Sequence, residues 1–470
     1  MDSIAAIILA AGKGTRMKSK FVKVMHPLAG APLIEYPLTA AREANASRIV
    51  VVIGHQADAV REHFSAGDDI AFVLQEEQNG TGHAVACAAP RLRDFHGRVL
   101  ILCGDVPLTQ TATLRDLLQR HAEQQATVTV LTASLENPFG YGRIIKNSAG
   151  QVLAIVEEKD ASPEQRAIRE INSGIYCVEA DFLFDAVARL GSDNAQGEQY
   201  LTDIVRLAVE KGLTCTAHPI SDPLEVMGIN DRVQLAEAEA VLRKRINEDL
   251  MRNGVTLRDP ATTYLDRGTR IGRDTVVGPG VHISGHSEIG EDCIIEPGAI
   301  IRDCRIGNRV VIKAGSVLED SIVHDAVSIG PMAHLRPGTE LLEKVKIGNF
   351  VETKKITMGK GSKASHLTYL GDASIGSDVN IGCGTITCNY DGVSKHRTVI
   401  EDGVFVGSDV QLVAPVTIGH NAFIAAGSTV TKDVPPRIPG HRPVSAGEQG
   451  RVEEEIKSVP DFISVLSYEF

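Results

Sequence analysis

The sequence predicts an α/β domain on a mostly parallel sheet, followed in the same chain by a parallel β-helix. Three observations carry this. Short apolar runs alternate with helix-forming stretches over roughly the first half of the chain. A segment with a single apolar stripe comes next. From about residue 265 onward an aliphatic residue recurs every six positions.

The runs AAIILA (5–10), RIVVVIG (48–54), RVLILCGD (98–105), ATVTVLTA (126–133) and SGIYCV (173–178) are aliphatic and end in polar or glycine residues, as buried strands do. Stretches 33–45, 81–92 and 111–124 between them are rich in helix formers. Leu235, Ala238, Leu242, Ile246 and Leu250 recur every three or four residues, which puts them on one face of a long helix. The hexads then read IGRDTV VGPGVH ISGHSE IGEDCI IEPGAI from Ile271, and return in 306–317, 375–386 and 418–429. A strand so short cannot bury its apolar side alone and must stack on neighbouring coils, with the aliphatic position inward and glycines at the corners. Absence of Trp and 4% aromatic content suit a narrow interior. The expected divisions are residues 1–232, a linker helix at 233–253, and the β-helix with its tail at 254–470.

A chain of 470 residues, 43% hydrophobic, exceeds one ordinary core. A net charge of −12 argues against a nucleic-acid or membrane-surface binder. No apolar stretch reaches the ~18 residues of a membrane span, and no secretory leader pattern is present at the start. Eight cysteines are scattered without a C-x-x-C pair, so neither a zinc site nor a disulfide framework is expected. A soluble, reduced, cytoplasmic protein is the expectation.

Against that acidic background, Gly12-Lys13-Gly14-Thr15-Arg16 is followed by Lys18, Lys20 and Lys23. Glycines behind a buried strand let backbone N–H groups approach an anion, and open α/β sheets bind ligands at that edge. The stretch is neither a Walker A loop nor G-x-G-x-x-G, so an ordinary glycine turn remains open beside a phosphate cradle. Asp105, in LCGDVPL, ends another apolar run. There it is either a turn or cap residue or a ligand for Mg²⁺ shared with substrate phosphates.

Leu9-Ala10-Ala11-Gly12-Lys13-Gly14-Thr15-Arg16, with Lys23 beyond it, resembles the L-x-x-G-x-G-x-R and Pro-Lys motifs of the sugar-1-phosphate nucleotidyltransferases; Val22 stands where that family usually has Pro. With the hexads, nearly the whole chain resembles the bacterial family that joins N-acetylglucosamine-1-phosphate uridylyltransferase to glucosamine-1-phosphate acetyltransferase, fading after about residue 445. The resemblance implies a Rossmann-like domain and a left-handed β-helix that forms a homotrimer with acetyl sites shared between subunits. It implies that Leu9, Ala10, Ala11, Gly12, Lys23, Gln75, Gly80, Thr81, Cys103 and Gly104 hold UTP, with Cys103 where Tyr is common. Gly142, Glu157 and Asn172 would contact N-acetylglucosamine-1-phosphate, Asp105 and Asn230 would hold Mg²⁺, and Arg16 and Lys23 would neutralise phosphate charge.

In the second half the hexad pattern breaks at 333–339, 348–355, 359–373 and 384–397, expected to be loops on one binding face. His366 is the general-base candidate, since imidazole chemistry operates near neutrality. By the same resemblance Arg336, Lys354, Tyr369 and Asn380 hold glucosamine-1-phosphate, and Asn389 and Tyr390 place the acetyl group. Ser408, Ala426 and Arg442 line the acetyl-CoA path, with Arg437 competing for the last place and Cys383 where Ala is usual. The rival readings are a single-activity sugar nucleotidyltransferase whose β-helix only regulates or assembles, and a non-catalytic assembly protein.

Overall fold

In the computed structural model the described residues are 3–54, 57–64 and 69–437, and the chain divides after Arg243 into two compact units. Arg442 and the tail lie outside the described residues.

The first unit is a nine-stranded sheet whose main path runs, in spatial order, through Cys215–Pro219, Val128–Ser134, Glu170–Glu179, Arg98–Cys103, Ile4–Ala10, Arg48–Ile53 and Ile70–Leu74. All neighbours along this path are parallel except Glu170–Glu179, which runs antiparallel to both of its partners. The five strands expected from sequence all form. Two segments the sequence reading passed over also pair, Ile70–Leu74 and Cys215–Pro219, and Arg143–Lys146 forms a hairpin with Val152–Val156. Aliphatic residues on both faces of the central strands separate into two core layers under the flanking helices, one holding Ile7, Val52 and Val99 and the other Ile8, Val51 and Leu100. From Ile4–Ala10 the chain moves outward to Arg48–Ile53 and Ile70–Leu74, then returns to the opposite side at Arg98–Cys103. That reversal leaves a crevice at the carboxyl ends of Ile4–Ala10 and Arg98–Cys103.

A helix spans Arg232–Arg252. In the second unit Asn247, on that helix, donates to the carbonyls of Pro260 and Thr263.

The second unit is a 25-stranded parallel coil in which each short strand pairs with its counterpart in adjacent turns. One inward column reads Leu265, Ile283, Ile301, Leu318, Leu335, Thr353 and Leu370, at steps of 17 or 18 residues. Two sequence expectations need correction. Of the four pattern breaks, only the last leaves the coil: Thr387 pairs with Leu412, a step of 25, and residues 389–397 form the extra loop. The other three stay in register: 348–355 lies inside the 13-residue strand Lys346–Met358, and 359–373 is a short turn at 359–362 followed by the 13-residue strand Lys363–Ile375. Their pattern is lost because Thr353, Thr368 and Ala364 take inward positions that Ile or Val fill elsewhere. Nor do glycines alone turn the corners: Asp274, Asp292, Asp303, Asp320, Asp378 and Asp409 adopt positive φ there, as short polar side chains tolerate.

Candidate active sites

A cleft of about 330 Å³ opens at the predicted crevice, lined by Leu9, Ala11, Gly12, Gln75, Gln78, Gly80, Thr81, Ala84, Cys103, Asp105 and Glu198. Strand register brings the lining together, since Leu9 pairs with Cys103 and Gly104 donates from its backbone to the Leu9 carbonyl at 2.9 Å. Ala10 is buried in the strand behind. Gln78 and Glu198 were missed by the sequence reading; Gln78 donates to the Ala11 carbonyl at 2.8 Å and so ties down the loop.

The basic loop is folded over this cleft by glycine geometry. Gly14 has φ +62, and a Cβ there would strike Lys23, so the turn lies directly on the lysine stem. Lys23 forms an ion pair with Asp105 and donates to Asn230 Oδ1 at 3.1 Å. Arg16 donates to the same oxygen at 2.7 Å. Two cations therefore converge on Asp105 and Asn230, while Lys13, Lys18 and Lys20 stay exposed. The donor set fits Mg²⁺: two hard oxygens already gather around a cation, and Mg²⁺ commonly takes one or two protein oxygens, completing its shell with phosphates and water. Among the described residues no group of three or more His, Cys, Asp or Glu is arranged as a self-sufficient metal site. Burial, with Asp105 adding to it, pushes the Cys103 thiol up to about 12, which disfavours its thiolate.

Gly142, Glu157 and Asn172 also meet. The Asn172 backbone donates to the Gly142 carbonyl at 2.9 Å, and a Cβ on Gly142 would lie 3.5 Å from both Asn172 Cβ and Glu157 Oε2. Burial raises the Glu157 carboxyl above its ordinary range, opposed by the Thr202 hydroxyl, which donates to it at 3.2 Å. The turn before Gly142 is held by buried Arg143, paired with Glu158 at 2.7 Å, whose carboxylate also accepts from Gly140 at 3.2 Å.

The β-helix site is built on ladders. His366 stands at a corner of the coil, exposed, directly above Asn349, and the Cys383, Ser408 and Ala426 backbones continue that column. At the other edge of the same face Arg336, Lys354, Gly371 and Cys388 form a second column. Arg336 pairs with Glu352 at 2.7 Å. Lys395, from the 389–397 loop, sits against Lys354 and holds that ammonium below its ordinary range, with the Coulomb effect of Arg336 in the same direction. Sequence reasoning overlooked Lys395 because the loop's fold, not its spacing, delivers it. A Cβ on Gly371 would strike the Tyr369 hydroxyl and approach Asn389, so only glycine leaves room for both. Asn389 donates to Asp372 at 2.5 Å. Tyr390 is exposed on the loop, its hydroxyl donating to the Gly392 carbonyl at 2.6 Å. Asn380 does not join them. It pairs with Lys363 and Phe405 on a different face of the coil.

Comparison with known proteins finds family matches in both halves of the chain. Residues 5–222 match the nucleotidyl transferase family model, 261–358 a GMPPB C-terminal domain, and 397–432 the bacterial transferase hexapeptide repeat. The chain is 67% identical over 453 residues to a protein of Geobacter metallireducens named bifunctional protein GlmU, covering 93% of this chain and 95% of the relative. Proteins of the same name from Geotalea uraniireducens and Shouchella clausii are 66% and 51% identical, each again over 93% of this chain and 95% of the relative.

Proposed function

The chain belongs to the bifunctional GlmU family, and from that premise we propose how its side chains divide the work. The protein is an enzyme of UDP-N-acetylglucosamine synthesis, with a uridylyltransferase in the first unit and a hexapeptide acetyltransferase in the second.

In the first unit a phosphate oxygen of N-acetylglucosamine-1-phosphate attacks the α-phosphorus of UTP, and the bond to the β-phosphate bridging oxygen breaks to release pyrophosphate. No covalent enzyme intermediate is needed; alignment and charge neutralisation supply the rate. Leu9–Gly12, Gln75, Gly80 and Thr81 hold the nucleotide, and Gly142, Glu157 and Asn172 hold the amino-sugar. Asp105 and Asn230 would hold Mg²⁺, which neutralises and orients phosphate oxygens. Arg16 and Lys23 offset the charge that builds on the α-phosphorus and the leaving pyrophosphate. The convergence of both cations on Asn230 beside Asp105 is the observation that carries this reading.

In the second unit the amine of glucosamine-1-phosphate attacks the thioester carbonyl of acetyl-CoA. Its proton passes to His366, the C–S bond breaks, and coenzyme A leaves as the thiolate, which takes up that proton to become the free thiol. Arg336, Lys354 and Lys395 bind the sugar phosphate beside Tyr369, and Asn389 and Tyr390 place the acetyl group. Coenzyme A follows the corner column of Cys383, Ser408 and Ala426, with Arg437 as the candidate among the described residues for its far end. Asn380, on its separate face, serves a site completed by a neighbouring copy in a homotrimer. Exposed Phe405 and Phe423, stacked at 5.0 Å on that face, supply apolar surface for such packing. All eight cysteines are unpaired, which suits a reducing cytoplasm, and among the described residues no helix is long and apolar enough to cross a membrane.

The test scores both products from one sample: thiol from acetyl-CoA plus glucosamine-1-phosphate, and pyrophosphate from UTP plus N-acetylglucosamine-1-phosphate. Thiol released without the amino-sugar phosphate, or pyrophosphate formed without Mg²⁺, overturns the corresponding half.

A further inference from the structure

We propose that His83 is a positioning residue that fixes the Gln75 amide and thereby sets the preference for uracil over cytosine at the nucleotide site. The proposal rests on the assignment of this cleft to UTP.

Gln75 lines the cleft yet is almost wholly buried, at 4% exposure. It follows strand Ile70–Leu74, and its backbone donates to the Ile53 carbonyl at 2.8 Å, so its Cα is fixed by the sheet. Its side-chain nitrogen has two partners: the Gly80 carbonyl at 3.1 Å and His83 Nδ1 at 3.1 Å. A carbonyl oxygen can only accept. The amide end facing Gly80 is therefore the NH₂. With one hydrogen given to Gly80, the other goes to His83 Nδ1, which must then be the unprotonated ring nitrogen. The ring proton lies on Nε2, which faces the Cys87 sulfur at 3.8 Å.

This arrangement uses both amide hydrogens on protein acceptors and leaves Oε1 without a protein donor among the described residues. Gln75 thus offers the cleft an acceptor only. At the middle of its pairing edge uracil presents an N3–H donor, whereas cytosine presents an unprotonated N3 acceptor there and carries its donor one position away, at the N4 amino group where uracil has O4. A freely rotating glutamine could turn its NH₂ toward cytosine; one held at two points cannot do so without abandoning both bonds. Such a polar mismatch in a confined site discriminates far more than shape alone. Gly80 and Thr81 open the helix Thr81–Ala88 that carries His83, so the helix start and the amide restraint are delivered together.

The test compares kcat/KM for UTP and CTP in the full-length enzyme and in His83→Leu and His83→Asn, with acetyl transfer by each preparation as a folding control. His83→Leu removes the acceptor. The UTP:CTP ratio is expected to fall about tenfold, the scale of one neutral hydrogen bond, through a raised KM for UTP more than a lowered kcat. Asparagine carries an acceptor near the position of Nδ1 and restores most of the ratio. A ratio unchanged in His83→Leu overturns the proposal, as does equal loss with both nucleotides or failure of His83→Asn to recover. A wild-type enzyme with no preference for UTP overturns instead the nucleotide assignment on which the proposal rests.

Discussion

The two catalytic units place their side chains by opposite means. In the α/β unit nearly every candidate group hangs on a turn beyond a strand: Gly12 to Arg16 after Ile4–Ala10, Gln75 after Ile70–Leu74, Asp105 after Arg98–Cys103. The sheet holds the anchors, and side-chain bonds such as Lys23 to Asp105 aim the loops. In the β-helix Arg336, Lys354, His366 and Tyr369 stand on regular coil, spaced by the ladder itself. The first design allows fine local adjustment. The second makes position a property of the stacked coil, so that buried and catalytic residues cannot be altered independently.

The sharpest test of that contrast is single-unit loss. Asp105→Ala is expected to cut pyrophosphate formation by roughly 10²–10³-fold or more, on the scale of losing one preorganised electrostatic group, and to spare thiol release. His366→Ala should do the reverse, lowering acetyl transfer by about 10²–10⁴-fold, the usual range for general-base removal. Loss of both activities in either variant would mean that the units do not act separately.

Changes beneath the sites come next. Leu370, fully buried under the face that displays Tyr369, should cost about 2–5 kcal/mol when replaced by Ala, read as a lower denaturant midpoint, and should depress acetyl transfer in proportion. Unchanged acetyl transfer at lowered stability would show that the ladder tolerates core loss without moving its surface. Lys395→Ala should raise KM for glucosamine-1-phosphate about tenfold, as expected for one lost charge-assisted contact, with kcat less affected. An unaltered KM would remove the loop from the phosphate subsite.

The smallest effect concerns Glu157, whose carboxyl is raised mainly by burial. A carboxyl raised in the folded state binds more protons there than when unfolded. Its stabilising contribution is complete below the ordinary value of 4.5 and is lost as pH climbs through the higher folded value. Glu157→Gln should therefore gain thermal stability relative to wild type as pH rises across that window, while weakening N-acetylglucosamine-1-phosphate binding. A difference in Tm that does not change with pH would place the wild-type charge in solvent rather than in the site.

Legibility differed between the halves for physical reasons. The opening loop, Asp105 and Asn230 could be found from sequence because each lies where an apolar run stops. The pairs among them could not, since Lys23 reaches Asn230 across 207 positions of chain. The strand Ile70–Leu74 was missed because IAFVL follows polar and charged residues without a clear alternating pattern. The breaks at 333–373 were mistaken for loops because threonine and alanine inside the coil erase the hexad while leaving the backbone course intact. Lys395 was overlooked for the opposite reason, lying on a real excursion whose return path no repeat encodes.

By itself the sequence determined the two architectures, because periods of six residues and alternating apolar runs each have few ways to bury their hydrophobic side. Most candidate residues it supplied only through the resemblance of its motifs to a known family, not through those patterns. Tertiary structure alone decided which residues meet: that Arg16 and Lys23 share one oxygen, that Lys395 joins Lys354, and that Asn380 faces away from them. Such meetings depend on strand order, coil register and loop return, long-range constraints that leave no periodic trace in the chain.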